Sequence, residues 1–248
     1  MTYSATINIP GDYSTIQAGI NSANTGDLIR IADGVYFENL KVEKNITIAS
    51  HYINNDGSIG GDLSHQTNTI IDGSQAGPND MLGGCILFRP SLGGNSIDIG
   101  LIGLTITNGK GTRAAQQLPS GSISSRFGGG VLAYRTYGEI KYNKFINNGG
   151  GSILKGGALF LSNSDDIDFD DRSQSHHQEF VDNRDGIVLS DNIFLDNFAQ
   201  IGKTASVEDY TFTIDVTDGL FDVFDFNNNT VTEYWFDKDP DVSFDFTG

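Results

Sequence analysis

Cysteine is almost missing from this chain. Cys85 stands alone among 248 residues, so no intramolecular disulfide can form. Flanked by Gly84 and Ile86, it reads as a small buried hydrophobe. Proline is scarce as well, at 5 residues, and long helical periodicity is nearly absent. No apolar run reaches the ~20 residues that span a bilayer, so membrane insertion is not expected. Basic residues are few: 15 Lys and Arg stand against 32 Asp and Glu, for a net charge of −17. That balance argues against a nucleic acid partner and against an anionic membrane surface. It leaves two readings open, cation binding and a solvated acidic surface. The opening Met1-Thr2-Tyr3-Ser4-Ala5 does not read as a signal peptide.

What is present in quantity is glycine, at 31 residues, spaced among short alternating apolar runs. Three related stops recur: Ile106-Thr107-Asn108, Ile146-Asn147-Asn148 and Leu195-Asp196-Asn197. Each closes a β-type stretch, and glycine-led strands such as Gly130–Tyr134 and Gly157–Leu161 lie between them. Short strands, glycine turns and asparagine stops in imperfect repetition are the marks of a stacked solenoid, whose units bury their apolar faces only against neighbours. The stops at Asn108, Asn148 and Asn197 are read as a structural stack, with side chains hydrogen-bonding from unit to unit.

One helix is expected near the start. Ser14 and Gln17 form a capping box, Ile16, Ile20 and Ala23 share a face, and Gly26 marks the stop. Such a helix would cover the open apolar end of the first unit. Strands follow around Asp27–Ala32, Leu40–Val42, Ile46–Ile48 and Thr69–Gly73. Three polar segments, His51–Gln66, Gly109–Phe127 and Asn163–Gly186, read as excursions from the stack. The expected organisation is one domain over 1–248: a cap at 1–26, coils at 27–209, and aromatic, acidic strands at 210–248.

The stretches Pro10–Ala18, Gly26-Asp27 and Gly34–Asn39 resemble the opening of right-handed parallel β-helix proteins of the pectin-lyase-like superfamily, pectinesterases among them. Ile70–Gly73, Leu104–Gly109 and Gly128–Val131 look like secreted bacterial β-helix repeats. The resemblance implies an all-β fold, a right-handed parallel β-helix solenoid with a short N-terminal capping helix. It also implies an extracellular or cell-surface location and a polysaccharide partner. It does not carry catalysis over. Of the pectinesterase elements only Gly-x-Tyr-x-Glu is matched, at Gly34, Tyr36 and Glu38, and in that family it is structural. The acidic calcium ligands and basic proton acceptor of pectate lyases have no match.

Two sets of residues are candidate sites. In the run Asp165–Asp171, an extended backbone places Asp166, Asp168 and Asp170 on one face, with Asp171 beside them. Crowded carboxylates repel unless a cation sits among them, and calcium, which takes several oxygen ligands, is the cofactor implied. Arg172, His176, His177 and Glu179 follow on the same excursion. Tyr134, Tyr137 and Tyr142, near Arg135 and Lys141, carry rings that can stack on sugars. Ordinary packing of the tyrosines and a solvated acidic loop stand beside these readings. Three functions stay open at this point: a polysaccharide-recognition module assisted by calcium, a lyase or hydrolase on acidic glycans, and a structural or adhesive subunit self-assembling through the C-terminal strands.

Overall fold

The computed structural model describes residues 3–77, 79–94, 96–118, 121–163, 167–169, 187–201, 204–208 and 212–214. The chain begins with β1 (Thr6–Ile9) and helix α1 (Ile16–Ser22), then passes through β2 (Asp27–Ile31), β3 (Gly34–Phe37) and β4 (Leu40–Val42). A second round comprises β5 (Ile46–Ser50), helix α2 (Ser64–Asn68), β6 (Thr69–Asp72), a 3₁₀ turn (Gly73–Gln75) and β7 (Ile86–Phe88). The third holds β8 (Ile97–Ile102), β9 (Thr105–Thr107), β10 (Thr112–Leu118), β11 (Gly121–Phe127) and β12 (Val131–Tyr134). The fourth holds β13 (Thr136–Lys141), β14 (Lys144–Ile146), β15 (Ile153–Lys155), β16 (Leu159–Ser162) and β17 (Ile167–Asp168). Last come β18 (Ile187–Ser190), β19 (Ile193–Leu195), β20 (Ala205–Glu208) and β21 (Phe212–Ile214).

The protein is mostly β, in parallel sheets. Sheet A is seven-stranded, ordered β1-β2-β5-β8-β13-β18-β21. Sheet B is β3-β6-β9-β14-β19 and sheet C is β4-β7-β12-β16-β20. From β2 onward the chain therefore visits A, B and C in the same order on every round, pairing each strand with its counterpart from the round before. Alternation then stacks like on like. Ile7, Ile29, Ile48, Leu101, Ile140 and Leu189 form one column through sheet A. Tyr36, Ile71, Ile106, Phe145 and Phe194 form another through sheet B. In it the Phe145 and Phe194 rings stack 5.1 Å apart. These columns meet in one apolar core.

The expected Ser14–Gln17 capping box is replaced by a longer-range device. Thr15 is the N-cap, accepting from the Ala18 N–H at 3.2 Å, and Glu38 takes the N–H groups of Ile16 and Gln17 at 2.8 and 2.9 Å. The Gly34-Tyr36-Glu38 element is thus structural, as the resemblance implied: its carboxylate fastens the helix to sheet B, and the Tyr36 hydroxyl donates to the Ala32 carbonyl. Gln17 does a different task. It accepts from the Lys41 N–H and donates to the Lys41 carbonyl, standing in for a neighbour along the open edge of β4. Ile16, Ile20 and Ala23 enter the core as expected. The helix ends at Ser22 with Ala23 as its C-cap, ahead of Gly26.

Two corners of the later rounds are built alike: each has a residue of positive φ, and in the fourth and last rounds the side chain that follows it bonds along the stack. Gly103, Tyr142 and Asp191 share the first role at one corner, and Asn108, Asn147 and Asp196 at the other. Asn143 and Asn192 follow at the first corner. Asn143 donates to the Leu101 carbonyl and Asn192 to Ile140, while Asn192 Oδ1 accepts from both Asn143 nitrogens. Asn148 and Asn197 repeat this at the second. The expected stack is thus found for Asn148 and Asn197 but not for Asn108. The register puts Gly109, not Asn108, above Asn148, and Asn108 donates instead to Asp72 at 2.8 Å.

Asp72 also accepts from the Ser74 N–H at 2.8 Å. Burial pushes its carboxyl up, but the Ser74 and Asn108 hydrogen bonds and nearby Lys110 outweigh this and hold it below the ordinary range. A folded pKa below the unfolded one means stability that is present above the unfolded value, about 4, and lost as pH falls through the folded value. Asp72→Asn is therefore expected to destabilise at neutral pH, with the gap from the native protein closing in acid. Parallel melting curves across that range would contradict this.

The Gly109–Phe127 segment is not a loop. β10 and β11 form an antiparallel hairpin that joins β15 and β17 in a four-stranded cover over sheet C. The reason is the outward row of sheet C, Leu87, Leu132 and Phe160, which is apolar and needs a lid. Ala114, Phe127, Ile167 and Phe169 supply it, with the Phe127 and Phe160 rings stacked 5.0 Å apart. In β10 burial alternates, with Thr112, Ala114 and Gln116 inward. Of the expected C-terminal strands, Phe212–Ile214 is seen pairing with β18. The rest of the expected 210–248 strands lies outside the described residues.

Candidate functional site

The outward face of sheet A is where chemistry gathers. Two of its rows run across the strands side by side. One carries Asn45 and Asp98; the next carries Thr47, Gly100, Glu139 and Val188. Over them lies an open cleft of about 460 Å³, closed at one end by Tyr3. Beyond them the outward positions Ala49 and Ile102 are covered by Tyr52 and Ile53, so the following segment walls off the rest of the face.

Glycine makes the cleft deep. A Cβ on Gly100 would lie 2.6 Å from Thr47 Oγ1, and one on Gly138 would lie 2.1 Å from the Ile99 carbonyl oxygen. Gly138 also has φ 120, which side chains rarely adopt. The polar wall is organised by Asn45, whose Oδ1 accepts from the Asp98 N–H at 3.1 Å. Asp98 is exposed. Glu139 is only 8% exposed. Its Oε2 pairs with Lys141 at 2.9 Å, and its buried Oε1 has no hydrogen-bond partner among the described residues. Burial pushes the Tyr3 phenol up; a hydrogen bond with Thr47 opposes this and the Glu139 charge adds to it. Apolar floor, hydroxyls, an amide and carboxylates in one trough can serve a polar ligand with apolar faces.

The three tyrosines singled out as sugar platforms do not come together. Tyr134 is 1% exposed, under the cover sheet, with its ring edge-on to Phe169 at 5.4 Å. It is a core residue because the apolar outer side of sheet C is covered, and it has no face left for a sugar. Tyr142 stands at a corner and packs against Tyr52 at 5.0 Å. Tyr137 is half-buried on sheet A, opposite Asp98 in the register and beside the cleft.

Of the acidic run, Asp168 is described: it lies in β17, and its Oδ2 accepts from Gln117 Nε2 at 3.2 Å. Asp166, Asp170 and Asp171 lie outside the described residues, as do Arg172, His176, His177 and Glu179. Among the described residues no group of three or more His, Cys, Asp or Glu side chains is disposed to hold a metal ion. Cys85 is buried, its thiol pushed up to about 12 by desolvation, and is inert.

A further polar cluster ties the 51–68 segment to the stack. Asp33 accepts from His65 Nδ1 at 2.6 Å and from Thr69 at 3.2 Å, and the His51 ring meets His65 edge-on. Burial holds the His51 imidazole down, with Arg30 and His65 adding to the effect. The side chain of Gln66 donates to the Tyr142 carbonyl and Arg30 Nε to the Ile53 carbonyl at 3.0 Å, so this segment is fastened near both ends.

Cleft residues Asn45, Thr47, Asp98 and Glu139 carry no local motif. The signal that marks them is glycine inside a strand, at Ile97-Asp98-Ile99-Gly100 and Tyr137-Gly138-Glu139, which signals a close approach. No family model matches the chain, and no curated protein matches it. Among the described residues no helix is long and apolar enough to cross a membrane.

Proposed function

We propose that this protein is a right-handed parallel β-helix of the pectin-lyase-like kind that works at the cell surface or outside the cell by recognising polysaccharide. The constant A-B-C visiting order and the helix across the first round support the fold. The observation that carries the function is the cleft on sheet A. It runs across parallel strands, and its mixed lining fits a sugar chain, whose rings have apolar faces and hydroxyl edges. Immobilised polysaccharides of neutral, acidic and amine-bearing types test this directly. Retention on at least one type, lost when Val188→Arg fills the cleft, is the expected result. No retention on any of them would overturn the proposal.

A hydrolase is the second reading, favoured by Asp98 and Glu139 sharing one cleft, one exposed and one buried. Paired carboxylates of unlike environment are what glycoside hydrolysis requires. Release of new reducing ends by the native protein, but not by Glu139→Gln, is the outcome that would establish it.

Calcium at the 165–171 acidic run belongs to the proposal as well. Calcium is expected to raise the melting temperature, and the triple change of Asp166, Asp168 and Asp170 to Asn is expected to remove that rise. An equal rise in the triple variant would sink it.

A further inference from the structure

The charge of the cleft lining says which glycans it takes. Among the described residues, the charged side chains that line it are Asp98 and Glu139, and both are acidic. Lys141, on the same face, is already engaged with Glu139 Oε2 and does not line the cleft. A uronate or sulfated chain would meet carboxylates and find no countercharge. A neutral chain could use the hydroxyl and amide groups but would leave the charge of Glu139 half-matched. One of its oxygens is paired and the other is buried without a partner, so this nine-tenths-buried carboxylate at the cleft wall gains from a second positive group placed against it. Exposed Asp98, held by Asn45, gives an arriving cation its first contact.

We propose that the cleft selects a glycan bearing free primary amines, an amino sugar polymer without N-acetyl groups, with the ring on the glycine floor of sheet A and the ammonium between Asp98 and Glu139. This rests on reading the cleft as a glycan site and adds the substrate class. An ammonium is compact and carries several donors, so one group can serve two carboxylates. N-acetylation removes the charge and enlarges the substituent, and both changes oppose entry.

The test is calorimetric titration of the full chain with glucosamine hexamer, N-acetylglucosamine hexamer and galacturonate hexamer, in mildly acidic buffer that keeps the amine charged. The glucosamine oligomer is expected to bind at least tenfold more tightly than the other two, and to weaken as salt is raised. Asp98→Asn and Glu139→Gln are each expected to weaken it about tenfold or more, the equivalent of ~1.4 kcal/mol. Asp98 is exposed, so its variant tests the site even if Glu139→Gln perturbs folding. Equal or tighter binding of the N-acetylated or acidic oligomer would overturn the inference and leave glycan recognition standing. So would glucosamine binding that ignores both substitutions. Silence from all three oligomers, together with no retention on immobilised polysaccharides, would remove the glycan reading itself.

Discussion

Gly129→Ala is expected to cost about 4 kcal/mol, beyond the ~1–3 kcal/mol of ordinary overpacking. At the corner between sheets B and C successive rounds touch backbone to backbone. The Gly129 N–H donates to the Gly156 carbonyl at 2.9 Å and Gly149 donates to Gly109 at 2.8 Å. A Cβ on Gly129 would lie 2.1 Å from the Gly157 oxygen, 2.5 Å from the Gly149 nitrogen and 2.7 Å from its Cα. No side chain is there to swing away, so main chain on two neighbouring segments must move and the hydrogen bonds between rounds go with it. For a chain of this size the loss is expected to appear as a fall in melting temperature of about 10 °C. Gly151→Ala is the control. Nothing lies within 4 Å of its Cβ position, and it is expected to stay within about 0.5 kcal/mol of the native protein. Similar urea midpoints for the two variants would refute the argument.

Asn148→Ala comes next in size. The side chain is 1% exposed and sits mid-ladder. It donates to the Ile106 carbonyl at 2.8 Å and to Asn197 Oδ1 at 3.0 Å, and accepts from the Gly109 N–H at 3.1 Å. Alanine strands the Gly109 donor and the Ile106 acceptor in the interior, and each orphaned group costs about 1–3 kcal/mol. A loss of about 3 kcal/mol is expected. Asn148→Asp is expected to do no better, because a carboxylate cannot donate to Ile106. Asn197→Ala strands the equivalent pair, the Asn148 N–H and the Phe145 carbonyl, but Asn197 is half-exposed, so water can reach them and the variant is expected to lose less. Urea denaturation of the three variants checks the order, and an Asn197→Ala loss as large as that of Asn148→Ala would show that the ladder is not what holds this corner.

This corner also shows where sequence reading works and where it stops. Alternation in Ile46-Thr47-Ile48 or Glu139-Ile140-Lys141 announces a strand, because every second residue must face one core. The helix face Ile16, Ile20 and Ala23 is as plain. Register is another matter. Arg30 pairs with Ala49, yet Ala49 pairs with Ile102, so rounds differ in length by more than a factor of two and no fixed period aligns them. That is why Asn108 looks like the partner of Asn148 when Gly109 is. β10 and β11 stay hidden for a different reason. They are an outer layer buried on one side, and Arg113, Gln117, Ser124, Ser125 and Arg126 hide the short apolar side of the hairpin. The cleft leaves only its strand glycines as a trace in the sequence, since Asn45, Thr47, Asp98 and Glu139 become neighbours only after several rounds have stacked.

The unequal rounds have an evolutionary consequence. The ladders dictate which residues recur at a corner and say nothing about how many residues leave and re-enter between corners. At Gly60, Gly93 and Gly121 even the space a side chain would occupy is empty. Extra sequence arriving by duplication or insertion at such positions stays outside the ladder and leaves the stacking columns untouched. Lineages descended from this architecture can therefore diverge in size and in surface decoration while their internal columns stay the same, and a new specificity can be grafted onto the outside without the scaffold being rebuilt.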